Sequence, residues 1–259
     1  MSRINAAAAL CLAAATVLAG SAAIGTEDTD LRDLDVSGWD CANQFEGTAQ
    51  SPDAKERNSM KNRWAPGDLS AGPVEQLDTA AFLKKVGKYD SRLQSKRRDE
   101  LTEGQKIELD RDENQIVSLT GWLVLEYPGP PETTNCGSPI FHDWHLEIFE
   151  SPSDHAPQVG DPTPIICEIT PRTEQRIFRD GVQLQSLAGF FRSPDVSYQA
   201  TGHDACKVRV TGYLLWDDDH NGSADVGSTV EYFSNNSFYH PWRSTAWEIH
   251  PVMKIEVIQ

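Results

Sequence analysis

Five strand-length runs between residues 115 and 258, broken once by a helical pattern, constrain this chain more than any other feature. They are "QIVSLTGWLVLEY" (115–127), "FHDWHLEIFE" (141–150), "TPIICEIT" (163–170), "CKVRVTGYLLWD" (206–217) and "TAWEIHPVMKIEVI" (245–258). Each is rich in β-branched and aromatic residues, and turn-rich stretches such as "PGPPETTNCGSP" separate them. Between the third and fourth lies "PRTEQRIFRDGVQLQSLAGFF" (171–191), with proline suited to a first helical position, read as one helix or two short ones. The order β-β-β-α-β-β predicts a mainly β fold: a small five-stranded Greek-key barrel of the OB type. A β-sandwich or an open α+β sheet is the competitor. "LTGWLVLEY" and "VTGYLLWDD" echo one another, each with a glycine inside a strand, where barrels bend or bulge.

The preceding residues divide into a leader and an arm. Arg3, an apolar run from Ala6 to Leu18 and the small residues "AGSAA" make residues 1–23 a secretory signal peptide, too short to span a bilayer. The protein is therefore expected to be secreted or periplasmic, with no membrane span. Cleavage would remove Cys11, and the four remaining cysteines, Cys41, Cys136, Cys167 and Cys206, predict two disulfides with the pairing open. Residues 24–110 form a loosely ordered, partly helical arm ahead of a barrel domain at 111–259. Within the arm, "KERNSMKNRW" can form a short helix after Pro52, and 78–93 an amphipathic helix capped by Asp78 or Thr79. "SKRRDELTEGQKIELDRDENQ" is expected to be a charged connector with short strands.

Charge narrows the partners. With 23 Lys+Arg against 39 Asp+Glu the chain carries −16. Nucleic acid is disfavoured, because such binding rests on a basic footprint; a cation, a basic partner or a small ligand suits the balance better.

Strand parity places the polar residues. In "HDWHLEI", Asp143, His145 and Glu147 alternate with Trp144, Leu146 and Ile148. In "AWEIHPV", Glu248 and His250 oppose Trp247 and Ile249, and the fourth strand runs out into Asp217 and His220. Glu168 lies on the third strand with ambiguous parity. Imidazoles and carboxylates together suit Zn, Mn or Fe, and an open coordination position could serve hydrolysis. Convergence of His145, His220 and His250 would support such a centre. The competing reading is that each row is the solvated face of a half-buried strand. "DDDHNGSAD" (217–225) resembles the start of a calcium loop, but Ser228 stands where a bidentate Glu belongs; an Asx-rich turn is the plainer reading. Trp242, Arg243 and Arg172 are candidate ligand-binding residues. Asn58, Lys61 and Asn62 share a helical face, read as solvated or as docking the arm on the barrel.

At "KNR" (61–63), "DWHLE" (143–147), "EITPR" (168–172), "DDDH" (217–220) and "WRSTAWEIHP" (242–251) the chain resembles a group of uncharacterised, mostly exported bacterial proteins. The resemblance implies that Asp143, His145, Glu147, Asp217, His220, Glu248 and His250 belong to one polar site, without implying an activity. Such proteins often show Cys-x-Cys before the second strand, where this one has only Cys136. The expectation is an exported binding domain for a divalent cation (Zn, Mn or Ca). The alternatives are a metal-dependent hydrolase of phosphodiesterase or nuclease type, or a metal-free interaction module.

Overall fold

A computed structural model describes residues 30, 31, 34–63, 69, 74–178, 181–195, 197–234 and 238–258. The expected leader and its Cys11 lie outside them. In chain order the elements are β1 (Asp30–Leu31), α1 (Pro52–Lys61), β2 (Glu75–Asp78), α2 (Thr79–Leu93), α3 (Glu103–Glu113), β3 (Ile116–Pro128), β4 (Trp144–Phe149), β5 (Ile165–Ile169), α4 (Pro171–Ile177), β6 (Val182–Gln183), β7 (Phe190–Arg192), β8 (Tyr198–Ala200), β9 (Lys207–Trp216), β10 (Tyr232–Phe233), β11 (Tyr239–His240) and β12 (Trp247–Val257).

Five of these strands close on themselves. β3 pairs β4, β4 pairs β5, β5 pairs β12, β12 pairs β9, and β9 returns to β3. Only the β5–β12 contact is parallel within this ring. With α4 between the third and fourth barrel strands, this is the expected OB-like order, closed 1-2-3-5-4-1. Period-two alternation fills the interior with Leu119, Leu146, Ile148, Cys167, Leu214, Trp247 and Ile249, all essentially without solvent exposure. Both strand glycines are required. A Cβ on Gly212 would collide with the Pro251 carbonyl, opposite an irregularity in β12, and one on Gly121 would stand 2.8 Å from the Phe149 carbonyl.

The arm is part of the same packing. β2 adds in parallel to the first half of β3. In α2, capped by the Asp78 side chain, Phe82, Val86, Tyr89 and Leu93 recur at helical spacing and are buried. Tyr89 meets Trp247 with ring centroids 4.9 Å apart, so the helix packs on the barrel core.

Three expectations are corrected. The charged stretch after Ser95 holds α3, not short strands: Thr102 and Gln105 form a capping box, and tertiary contacts at Leu109 and Glu113 replace an apolar stripe. Glu113 is fully buried because it accepts from Arg98 Nη1 at 2.9 Å and from the Trp216 amide at 2.8 Å. The 171–191 stretch is not one helix: α4 ends at Ile177, and a 3₁₀ turn at Leu184–Ser186 lies between the short strands β6 and β7. Finally, Cys41 and Cys136 form a disulfide, but Cys167 and Cys206 are buried and not bridged to one another. Cys167 points into the barrel from β5, whereas Cys206 sits just before β9, beside the Ser186 carbonyl. Among the described residues no helix is long and apolar enough to cross a membrane.

Candidate metal centre

Register brings three strands to one point. His145 of β4 stands opposite Glu168 of β5, and Cys167 of β5 is level with Ile249 of β12. Glu168 is therefore flanked by Glu248 and His250, all on the outer face because their neighbours fill the interior. Asp143 precedes β4 at the same end, and Asp217 follows β9.

This face is not solvated, which overturns the wet-face reading. His145 is 6% exposed, and Asp143, Glu168, Asp217, Glu248 and His250 are 0–1%. The cover comes from α1, the β3–β4 loop and the segment between β9 and β12. Helix α1 is docked, not solvated. Asn58 donates to the Glu46 carbonyl at 3.0 Å and accepts from Thr134 Oγ1 at 2.9 Å, and Asn62 donates to the Phe45 carbonyl at 2.8 Å. The same face carries Lys61, whose Nζ lies 3.2 Å from Asp217 Oδ2 and 3.9 Å from both Glu168 Oε2 and Glu132 Oε2. The disulfide from Cys41 to Cys136 ties the segment ahead of α1 to the β3–β4 loop.

Asp143, Glu168 and His250 each offer an atom such that all three lie within 4.8 Å of one another. His250 Nε2 is 3.8 Å from Asp143 Oδ2. On its other side, His250 Nδ1 is bonded to Glu248 Oε1 at 3.0 Å, and Arg243 Nη2 donates to Glu248 Oε2. Glu168 Oε2 also lies 3.0 Å from Nδ1 but accepts no hydrogen bond. Asp143 Oδ1 accepts from Asn135 at 2.9 Å. Asp143 Oδ2, Glu168 Oε2, Asp217 Oδ2 and His250 Nε2 are buried without a hydrogen-bond partner. Leaving such atoms unsatisfied is costly, and so many in one place mark a site shaped for something else.

The electrostatics follow from burial and neighbours. Burial disfavours charge on Glu168, yet the neighbouring His145, Lys61 and His250 hold its carboxyl well below the usual range. Asp217 is likewise low against burial, through Lys61 and Arg243. Burial would lower His250, but the Glu168 charge beside it and the bond to Glu248 raise it to about 9. Burial pushes His145 down to about 4, leaving a neutral ring at pH 7. It also pushes Glu132 up to about 7, against the pull of Lys61.

The remaining candidates go elsewhere. Glu147 shares the strand face of His145 but accepts from the Tyr239 hydroxyl, and burial raises it to about 7. His220 is turned to Asp225, at 3.9 Å, and to the edge of Trp242, so a three-histidine centre does not form. The calcium-like loop splays: Asp218 pairs with Arg57 at 2.8 Å, Asp219 with Arg97 and Arg57, and Asn221 donates to the Lys96 carbonyl at 2.7 Å. Arg172 is fastened to Cys41, Asn62 and Asn135, and ties the arm to the barrel. Arg243 lies wholly buried beside Glu248. Of the expected ligand-binding residues, Trp242 lines a cavity.

Two cavities open beside the cluster. One, of about 410 Å³, is lined by Arg57, Lys61 and Asp217. The other, of about 430 Å³, is lined by Tyr127, His145, Glu147, Arg192, Tyr239 and Trp242. Pro130, Glu132 and His220 border both. A cavity of about 470 Å³ lined by Leu83, Phe149 and Pro152 contains none of the cluster. Family models, curated proteins and solved structures give no match to the chain.

Proposed function

We propose that this is an exported OB-like domain that holds a divalent transition-metal ion between Asp143, Glu168 and His250. The observation that carries the reading is that Asp143, Glu168 and His250 each offer a ligand atom within 4.8 Å of the others, and that Asp143 Oδ2, Glu168 Oε2 and His250 Nε2 are buried without a hydrogen-bond partner. The 3.8 Å between Nε2 and Oδ2 is close to the ~3.4 Å that tetrahedral bonds of ~2.1 Å require. Glu248, braced by Arg243, orients His250 as a carboxylate behind a metal-bound histidine does. Mixed nitrogen and oxygen donors favour Zn or Mn over Ca. Export is supported by the leader and by a disulfide.

The test is elemental analysis of the purified mature protein and of a Glu168→Gln, His250→Ala double variant. About one equivalent of metal in the parent and none in the folded variant is expected; equal content in both would remove the site. A second reading, metal-assisted hydrolysis, is favoured by the two cavities meeting beside the cluster. Turnover of phosphodiester or ester substrates that stops with chelator and returns with metal would establish it.

A further inference from the structure

We infer that the cavity bounded by Tyr127, His145, Glu147 and Trp242 is a saccharide subsite that takes a neutral or amino sugar ring. This reading stands on the cavity and not on the metal. Its volume of about 430 Å³ falls within the ~300–1,000 Å³ of small-ligand sites. Sugar recognition needs an aromatic face for the C–H side of a ring and fixed polar groups for its hydroxyls; both are present.

The aromatic element is preformed. Trp242 is half-buried, its indole nitrogen donates to Asp225 Oδ1 at 2.8 Å, and His220 meets its ring edge-on at 5.0 Å. A ring held this way loses little freedom when a ligand stacks on it. Tyr127 has a different part: His145 stacks on it at 4.9 Å and the Arg192 guanidinium covers it at 3.5 Å, so it braces the wall.

The polar element points to hydroxyls. His145 is 6% exposed and neither ring nitrogen has a hydrogen-bond partner; Nδ1 is 3.3 Å from Glu168 Oε1 but outside hydrogen-bond geometry. A ring nitrogen without a partner in the wall of a cavity can donate to or accept from a hydroxyl. Glu132, Glu147 and Asp225 make the lining acidic, with Arg192 stacked on aromatic rings. Such carboxyl groups can accept hydrogen bonds from neutral hydroxyls and from sugar amines. Because the 410 Å³ cavity shares Pro130, Glu132 and His220, an oligosaccharide longer than one ring can run on past Lys61 and Asp217. The face of the second and third strands of OB barrels, with the adjoining loops, commonly binds oligosaccharides or oligonucleotides.

The experiment titrates the mature protein, with and without EDTA, against cellohexaose, maltohexaose, chitohexaose, chitosan hexamer and a dT oligomer, following tryptophan fluorescence and heat. The expected result is binding of at least one saccharide in both metal states, weakened roughly 10-fold by Trp242→Ala. Glu147→Gln, which keeps the cavity's shape, should weaken it as well, read on the folded variant. Absence of saccharide binding, binding of the dT oligomer alone, or saccharide affinity unchanged in both folded variants would overturn the assignment. Failure to find metal would leave it standing, and loss of saccharide binding would leave the metal reading standing.

Discussion

Glu248→Gln tests the proposed metal centre at the point where one atom separates two explanations. Glu248 bridges His250 Nδ1, at 3.0 Å, and Arg243, with no solvent exposure. Glutamine keeps the length and an acceptor oxygen, but it removes the charge and turns either an amide N–H₂ toward Arg243 or one toward His250. If His250 binds metal through Nε2, losing the carboxylate behind it should lower metal affinity about 10- to 100-fold. That is roughly 1.4–2.7 kcal/mol at 1.36 kcal/mol per decade. A stability loss accompanies it. Arg243 keeps only Asp217, at 3.9 Å, and stranding one partner of a buried pair costs about 3–5 kcal/mol. The two effects need separate assays: competition against a chromophoric chelator at a temperature where both proteins are folded, and urea unfolding of the metal-free forms. Metal affinity equal to the parent's in the folded variant would refute the reasoning, because Glu248 would then be a structural partner of Arg243 alone.

Further outcomes follow from the same contacts. Since the apo-state value of His250 is about 9, metal binding at pH 7 should release a proton, visible as binding heat that depends on the buffer's ionisation enthalpy; buffer-independent heat would place the metal elsewhere. Asp112 sits near 2 because, against burial, Lys88, Tyr89 and Arg111 bond its carboxylate. Its folded value being depressed, its stabilisation is present above the unfolded value of about 3.9 and is lost as pH falls through about 2. Asp112→Asn should therefore destabilise at pH 7 and make progressively less difference toward pH 2, which urea midpoints across that window will check. Paired Cys41→Ser and Cys136→Ser should cost about 2–4 kcal/mol, because the bridge closes a 95-residue separation; an unchanged urea midpoint would show that hydrogen bonds of Asn58, Asn62 and Arg172 hold the arm without it.

The sequence by itself determined the barrel and the sidedness of its strands. Alternation is local, since the backbone turns successive side chains to opposite faces, so Trp144, Leu146 and Ile148 are separable from His145 and Glu147 in "FHDWHLEIFE" without any partner strand. Position of the single helix between the third and fourth runs then selected the OB-like order. Glu168, central to the site, was obscured because β5 is buried on both faces, which erases the period-two contrast. Helix α3 was hidden because its burial rests on Leu109, Asp112 and Glu113 meeting distant residues, although Thr102 and Gln105 signalled its start.

Only the tertiary structure decided whether the polar face was wet. That depends on α1, with Asn58 and Asn62 bonding to residues near 45 and 133 and Lys61 reaching Asp217. No local pattern encodes contacts so far apart in the chain. Tertiary packing also divided residues that share a strand face. His145 and Glu147 are two residues apart, about 6.8 Å along a strand, and that step separates Glu168 from the hydroxyl of Tyr239.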